Sequence, residues 1–128
     1  MEDLINKPIL IVDDNITDQL LLSHQLKSLG FNNIKFGINW LDAVQKTQAQ
    51  LFDIILMDIN MPIKNWLDAA QEIRNLPNGQ HPKIITYTAN SYYKDSINQE
   101  NKEIFDWEIM KPAATEKISD EIKKVFSK

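Results

Sequence analysis

The sequence contains no cysteine. That excludes a disulfide framework, a thiol nucleophile and any zinc site built on thiolates. No apolar run approaches the roughly 18 residues needed to cross a bilayer. The first residues carry Glu2 and Asp3 before Pro8, unlike the basic start of a signal peptide. There is also no Lys/Arg run, and the formal net charge is −4, a poor electrostatic footprint for direct nucleic-acid binding.

What remains is an ordinary globular composition, 43% hydrophobic and 25% charged, over 128 residues. This is one domain's length, long enough to bury a core without staples. Residues 1–128 are therefore expected to form a single domain.

Apolar runs alternate with amphipathic segments. Ile9–Val12 and Ile54–Met57 are wholly apolar and read as strands covered on both faces. Ile34–Phe36, Lys83–Tyr87 and Trp107–Met110 read as further strands. A helix carrying Leu22, Leu26 and Leu29 is expected to stop at Gly30. A second helix holds Leu41 and Val44, and a third spans Trp66–Asn75 with Ala69, Ala70 and Ile73 inward. Ser91 is a candidate cap for a fourth, and Ile118, Ile122 and Val125 line a fifth. The order βαβαβαβαβα predicts an α/β fold, a doubly wound parallel sheet with helices on both faces. In such folds the crevice lies beyond the carboxyl ends of the strands.

The residues at those ends are Asp13-Asp14, Asp58, Thr88 and Lys111. Three crowded carboxylates repel one another unless a cation is present. An all-oxygen site suits a hard divalent ion, Mg²⁺ above all. Asp58 is a candidate covalent phosphoryl acceptor. A threonine hydroxyl and a lysine ammonium suit the oxygens of the transferred group. Taken singly, Asp-Asp is ordinary turn chemistry, Lys-Pro an ordinary surface turn, and an aspartate after a strand an ordinary cap. Their joint occurrence in this order carries the reading.

The segments Ile9-Leu-Ile-Val-Asp13-Asp14-Asn15, Ile54-Ile-Leu-Met-Asp58-Ile-Asn60-Met61-Pro62, Thr88-Ala89 and Met110-Lys111-Pro112 resemble the response-regulator receiver domain of two-component signalling. The resemblance runs from Pro8 to the last helix. It implies a flavodoxin-like (βα)5 fold with five parallel strands in the order 2-1-3-4-5. It also implies phosphorylation of Asp58, with Mg²⁺ held by Asp13, Asp14, Asp58 and the backbone carbonyl of Asn60. Thr88 and Lys111 would hold phosphoryl oxygens, and the Lys111–Pro112 bond would be cis. The implied partner is a histidine kinase or a histidine phosphotransfer protein in the cytoplasm. The implied role is that of a phosphoacceptor that assists its own phosphorylation and dephosphorylation, not an enzyme acting on an external substrate.

Three other readings compete with this one. A phosphatase of the haloacid-dehalogenase type needs an acid two residues after its nucleophile, where Asn60 stands. His24-Gln25-Leu26-Lys27 faintly resembles a histidine phosphotransfer motif, but the alternating strands oppose a helical bundle, and His24 reads as solvated. A degenerate receiver acting only as an interaction module would have lost an acidic residue, the threonine or the lysine. His81 has no visible partner in the sequence and is assigned no role.

Some positions depart from the receiver pattern. Trp66 and Trp40 stand where glycines are usual, and the spacing from Thr88 to Lys111 is about one residue long. Counting back from Lys111 puts Glu108 where an aromatic switch residue usually lies. A bulge in the last strand would put Trp107 there instead. Loops accept insertions more readily than strands, so the extra residue is expected between Gln99 and Ile104. Glu108 is then expected at the switch position, at the surface, with signalling carried by shifts of loops and of the helix after Ser91.

Overall fold

A computed structural model describes residues 2–58, 63–89 and 104–127. In chain order the elements are α1 (Glu2–Ile5), β1 (Ile9–Val12), α2 (Ile16–Ser28), β2 (Ile34–Gly37), α3 (Trp40–Ala49), β3 (Ile54–Met57), α4 (Ile63–Asn75), β4 (Lys83–Thr88), β5 (Trp107–Met110) and α5 (Thr115–Phe126). The five strands form one sheet in the order β2-β1-β3-β4-β5, all neighbours parallel. This is the doubly wound 2-1-3-4-5 arrangement expected above. The helix expected after Ser91 falls outside the described residues, as do Asn60, Met61, Pro62 and the segment from Gln99. The short turn α1 was not anticipated.

Side chains alternate along each strand, so a strand covered on both faces feeds two cores. Leu10, Val12, Ile55, Met57 and Ile84 pack with Ala43 and Val44 of α3 and with Ala69, Ala70 and Ile73 of α4. Ile9, Ile11, Ile54, Leu56 and Ile85 pack on the other face with Leu22 and Leu26 of α2 and Ile118, Ile122 and Val125 of α5. Each fully buried Ile or Leu contributes roughly 1.5–3 kcal/mol. Leu41, expected to help bury the second helix, is exposed; Ala43, Val44 and Thr47 do that work.

Helix α2 ends as its sequence requires. The Gly30 N–H donates to the Lys27 carbonyl and the Phe31 N–H to the Leu26 carbonyl, a Schellman closure. Gly30 sits at φ +104°, in the left-handed region that a side chain disfavours. Phe31 then buries against the same cluster as Leu26.

At the amino-terminal edge of the sheet, Arg74 ties α4 to the chain entering β4 and β5. Its guanidinium donates to the carbonyls of Gly79, Pro82 and Ile104 and pairs with Asp106 at 2.9 Å. The turn that makes this possible passes so close to α4 that a Cβ on Gly79 would lie 1.5 Å from the Ile73 carbonyl oxygen. His81, assigned no partner from sequence, pairs through Nε2 with Asp53 Oδ1. These residues lie 28 positions apart, a separation that hides the pair from local reading.

Strand β5 pairs with β4 residue for residue, Thr86 beside Glu108 and Thr88 beside Met110, with no bulge. Trp107 therefore faces the α2/α5 side, where its ring packs on that cluster. Its Nε1 donates to Glu121 Oε2 of α5. Glu108 takes the opposite face, as the count back from Lys111 expects. It is not at the surface, however. It is half-buried, and its Oε1 is enclosed without a hydrogen-bond partner among the described residues. The strand pleat, not the charge, decides this: once Trp107 and Ile109 fill one face, Glu108 must take the other.

Two stability experiments test these contacts. Gly79→Ala should lose more than about 2 kcal/mol in urea unfolding, through the backbone collision at Ile73. A loss within error of zero would show that the turn can shift. The hydrogen bond from Trp107 holds the Glu121 carboxyl below the usual glutamate range, helped by Lys117 and Lys124. A depressed folded-state pKa contributes stability above the unfolded value of 4.5 and loses it as pH falls further. Glu121→Gln should therefore cost about 1 kcal/mol at pH 7, and the gap from wild type should close as pH drops below 4.5. A gap that stays constant with pH would refute the charged contact.

Candidate functional site

The site residues continue the sheet's own hydrogen-bond ladder. The Asp13 N–H donates to Gly37 O at 3.0 Å, the Asp58 N–H to Val12 O at 2.9 Å and the Lys111 N–H to Thr88 O at 2.9 Å. Each functional side chain thus stands one step beyond a buried strand, held by the neighbouring strand. Thr88 itself is the last residue of β4 and fully buried. The Lys111–Pro112 bond is cis, as expected.

Helix α2 braces the first carboxylate. Asn15 caps the helix, its side chain accepting from the Asp18 N–H at 3.0 Å. The Asn15 N–H in turn donates to Asp13 Oδ1 at 2.9 Å. Gln19, buried one turn into the helix, donates to the carbonyls of Asp13 and Gly37 and so clamps the ends of β1 and β2. Sequence reading missed Gln19, since a glutamine in a helix is unremarkable until its target carbonyls are known.

Asp13, Asp14 and Asp58 each present a carboxylate oxygen within 4.8 Å of the others. Asp13 and Asp58 are buried, while Asp14 is exposed. A small hard cation in octahedral coordination at about 2.0–2.1 Å places its oxygens about 3–4 Å apart. The triad approaches that spacing, and its exposed member leaves room for water ligands. The donor set, all oxygen, fits Mg²⁺. Asn60, the fourth expected ligand, lies outside the described residues.

Lys111 supplies the opposing charge. Its Nζ lies 2.9 Å from Asp13 Oδ2, 3.2 Å from Asp18 Oδ2 and 3.3 Å from Asp58 Oδ2. Burial disfavours the ammonium, but the hydrogen bond to Asp13 and the charges of Asp58 and Asp13 outweigh it and push its pKa well up. Burial also pushes the Asp13 carboxyl above the usual aspartate range, against the hydrogen bonds from Asn15 and Lys111. The Lys111 ammonium also lies over the Tyr87 ring, 5.3 Å from its centroid. Asp18 was not singled out from sequence, because an acid in the first turn of a helix has an ordinary explanation in the helix dipole.

Four of the five predicted strand-end positions thus converge through one ammonium and one carboxylate cluster. Thr88 closes the neighbouring strand beside them. A doubly wound sheet bearing such a cluster at its carboxyl edge defines an all-oxygen site that fits a divalent cation. The sequence profile of the response regulator receiver domain matches residues 9–123. The chain belongs to this family, the receiver domains of two-component systems. It is 37% identical over 101 residues to the response regulator sskA of Aspergillus fumigatus, a match covering 75% of this chain and 12% of that protein. The chain thus spans only a small part of that relative's length. Among solved structures it resembles the receiver domain of sensor histidine kinase PA1611 from Pseudomonas aeruginosa, crystallised with magnesium in its active-site cleft. The TM-score is 0.82 at 27% identity, covering 96% of this chain and 99% of that one. It also resembles the response regulator TrrA of Thermotoga maritima in complex with Mg²⁺-BeF, with TM-score 0.79 at 29% identity, covering 93% and 98%.

Removing the ammonium leaves Asp13 and Asp58 buried without their cation. Lys111→Met should cost about 3 kcal/mol in metal-free buffer. Urea unfolding in EDTA measures it. An unchanged midpoint would show that the carboxylates do not depend on this lysine.

Proposed function

We propose that Asp58 accepts a phosphoryl group from a phosphohistidine on a histidine kinase or phosphotransfer protein. The observation that carries this reading is the buried Asp58 carboxylate, grouped with Asp13 and Asp14 and 3.3 Å from the Lys111 ammonium. One Asp58 oxygen attacks phosphorus as the P–N bond to the donor imidazole breaks, and the bond's electron pair returns to the ring nitrogen. Mg²⁺ held by Asp13, Asp14, Asp58 and the Asn60 carbonyl would supply neutralisation of the charge on the transferring phosphoryl oxygens. Lys111 orients and neutralises one of those oxygens, and the Thr88 hydroxyl donates to another.

In this reading residues 1–128 form one receiver domain, and its product is its own modified aspartate, so it acts as a signalling phosphoacceptor and not as an enzyme with an external substrate. A protein donor has a surface to approach by: Ile16, Leu20 and Leu21 of α2 stand exposed beside the site. No helix among the described residues is long and apolar enough to cross a membrane. The net negative charge and the lack of a basic run argue for protein partners over nucleic acid. The expected compartment is the cytoplasm.

Incubation with Mg²⁺ and acetyl phosphate should add one hydroxylamine-labile phosphoryl group to the wild type and none to Asp58→Ala, as read by intact mass. Equal labelling of both proteins would overturn the assignment of Asp58.

A further inference from the structure

The ammonium of Lys111 has three N–H donors, and three carboxylates surround it. Two belong to the acidic cluster at the strand ends. The third is Asp18, on the first turn of α2, 3.2 Å away and 43% exposed at the mouth of the site. Asp18 also lines a cleft of about 260 Å³, together with Leu21, Gln25, Tyr87, Lys111 and Pro112. Lys111 is the only cation in that lining. We propose that Asp18 is a positioning residue that shares the Lys111 ammonium with Asp13 and Asp58 in the unphosphorylated domain, so that an incoming phosphoryl oxygen must compete with it for an N–H donor. The proposal rests on the reading of Asp58 as phosphoacceptor and concerns how readily that aspartate is modified.

The geometry motivates the direction. Asp13 is the nearest partner of the ammonium and Asp58 the farthest. All three carboxylates lie within ion-pair distance of the ammonium, so Asp18 draws on the same charge as the aspartate it is to serve. An incoming phosphoryl group needs one of the three N–H donors, and all three already face carboxylates. Asp13 has a second task in the acidic cluster, whereas Asp18 stands outside that cluster. Its carboxylate is thus the one whose removal frees a donor without disturbing the cation ligands. The alternative role for Asp18, favourable contact with the helix dipole in the first turn of α2, predicts a lower melting temperature on substitution and no gain in rate.

Asp18→Asn should become phosphorylated by acetyl phosphate and Mg²⁺ about two- to fivefold faster than wild type, the range set by a partly exposed ion pair. The gain should persist at about 0.5 M KCl, where the field of a distant exposed charge is screened but a direct contact is screened less. Asp18→Glu, which restores a carboxylate within reach, should return toward the wild-type rate. In metal-free protein, exchange of the Lys111 ammonium protons with water, read from the side-chain ¹⁵N signal, should be faster in Asp18→Asn. An unchanged or slower rate of labelling overturns the proposal. So does a gain abolished by salt, an Asp18→Glu protein as fast as Asp18→Asn, or unaltered ammonium exchange. If the wild type itself takes no phosphoryl group, the phosphoacceptor reading falls and this proposal with it; a labelled wild type with an unaltered Asp18→Asn overturns this proposal alone.

Discussion

The structure turns on the mutual repulsion of carboxylates at the carboxyl edge of the sheet and on the Lys111 ammonium that offsets it. Asp13 and Asp58 are buried within reach of each other, an arrangement that costs several kcal/mol unless each charge is matched. Lys111 matches both and recruits Asp18 besides. Among the described residues, one positive charge set against Asp13, Asp14, Asp18 and Asp58 leaves the site negative. The deficit is what makes it a place for a divalent cation. The fold tolerates this concentration of charge because the residues stand just beyond strands buried on both faces, whose apolar packing supplies the stability that the site gives up.

Rigidity is the second ingredient. A functional site must hold its groups to within a fraction of an ångström of productive geometry. Here the backbone of Asp13, Asp58 and Lys111 is bonded into the neighbouring strands, and Gln19 clamps the ends of β1 and β2 from α2. The opposite edge of the sheet is fastened separately, by Arg74 and its carbonyls and by the pair of Asp53 and His81.

The last strand carries one of the departures from the receiver pattern. Its register puts Glu108 on the face shared with Thr86 and sends Trp107 to the other side, where Glu121 of α5 holds the indole. An aromatic ring fixed to α5 in this way is committed to packing and cannot serve as a swinging element on the Thr88 face. A half-buried carboxylate takes that position instead. A charged group there responds to its surroundings by electrostatics, where an aromatic responds by volume.

Much of this was legible in the amino-acid order. Apolar runs of four residues marked β1 and β3, Gly30 marked the end of α2, and the spacing of Asp13, Asp14, Asp58, Thr88 and Lys111 marked the crevice, since one period of strand and helix brings each to the same edge. Those features are local or follow from a repeating topology. The sequence determined by itself that this protein would be a doubly wound sheet with carboxylates gathered at its carboxyl edge. Only the tertiary structure decided which groups share the lysine, that Gln19 clamps two strands, that His81 finds Asp53 and that Glu108 goes half inside. Each of these depends on which face a side chain takes and on a partner supplied by another element, and a linear sequence does not carry distance between elements.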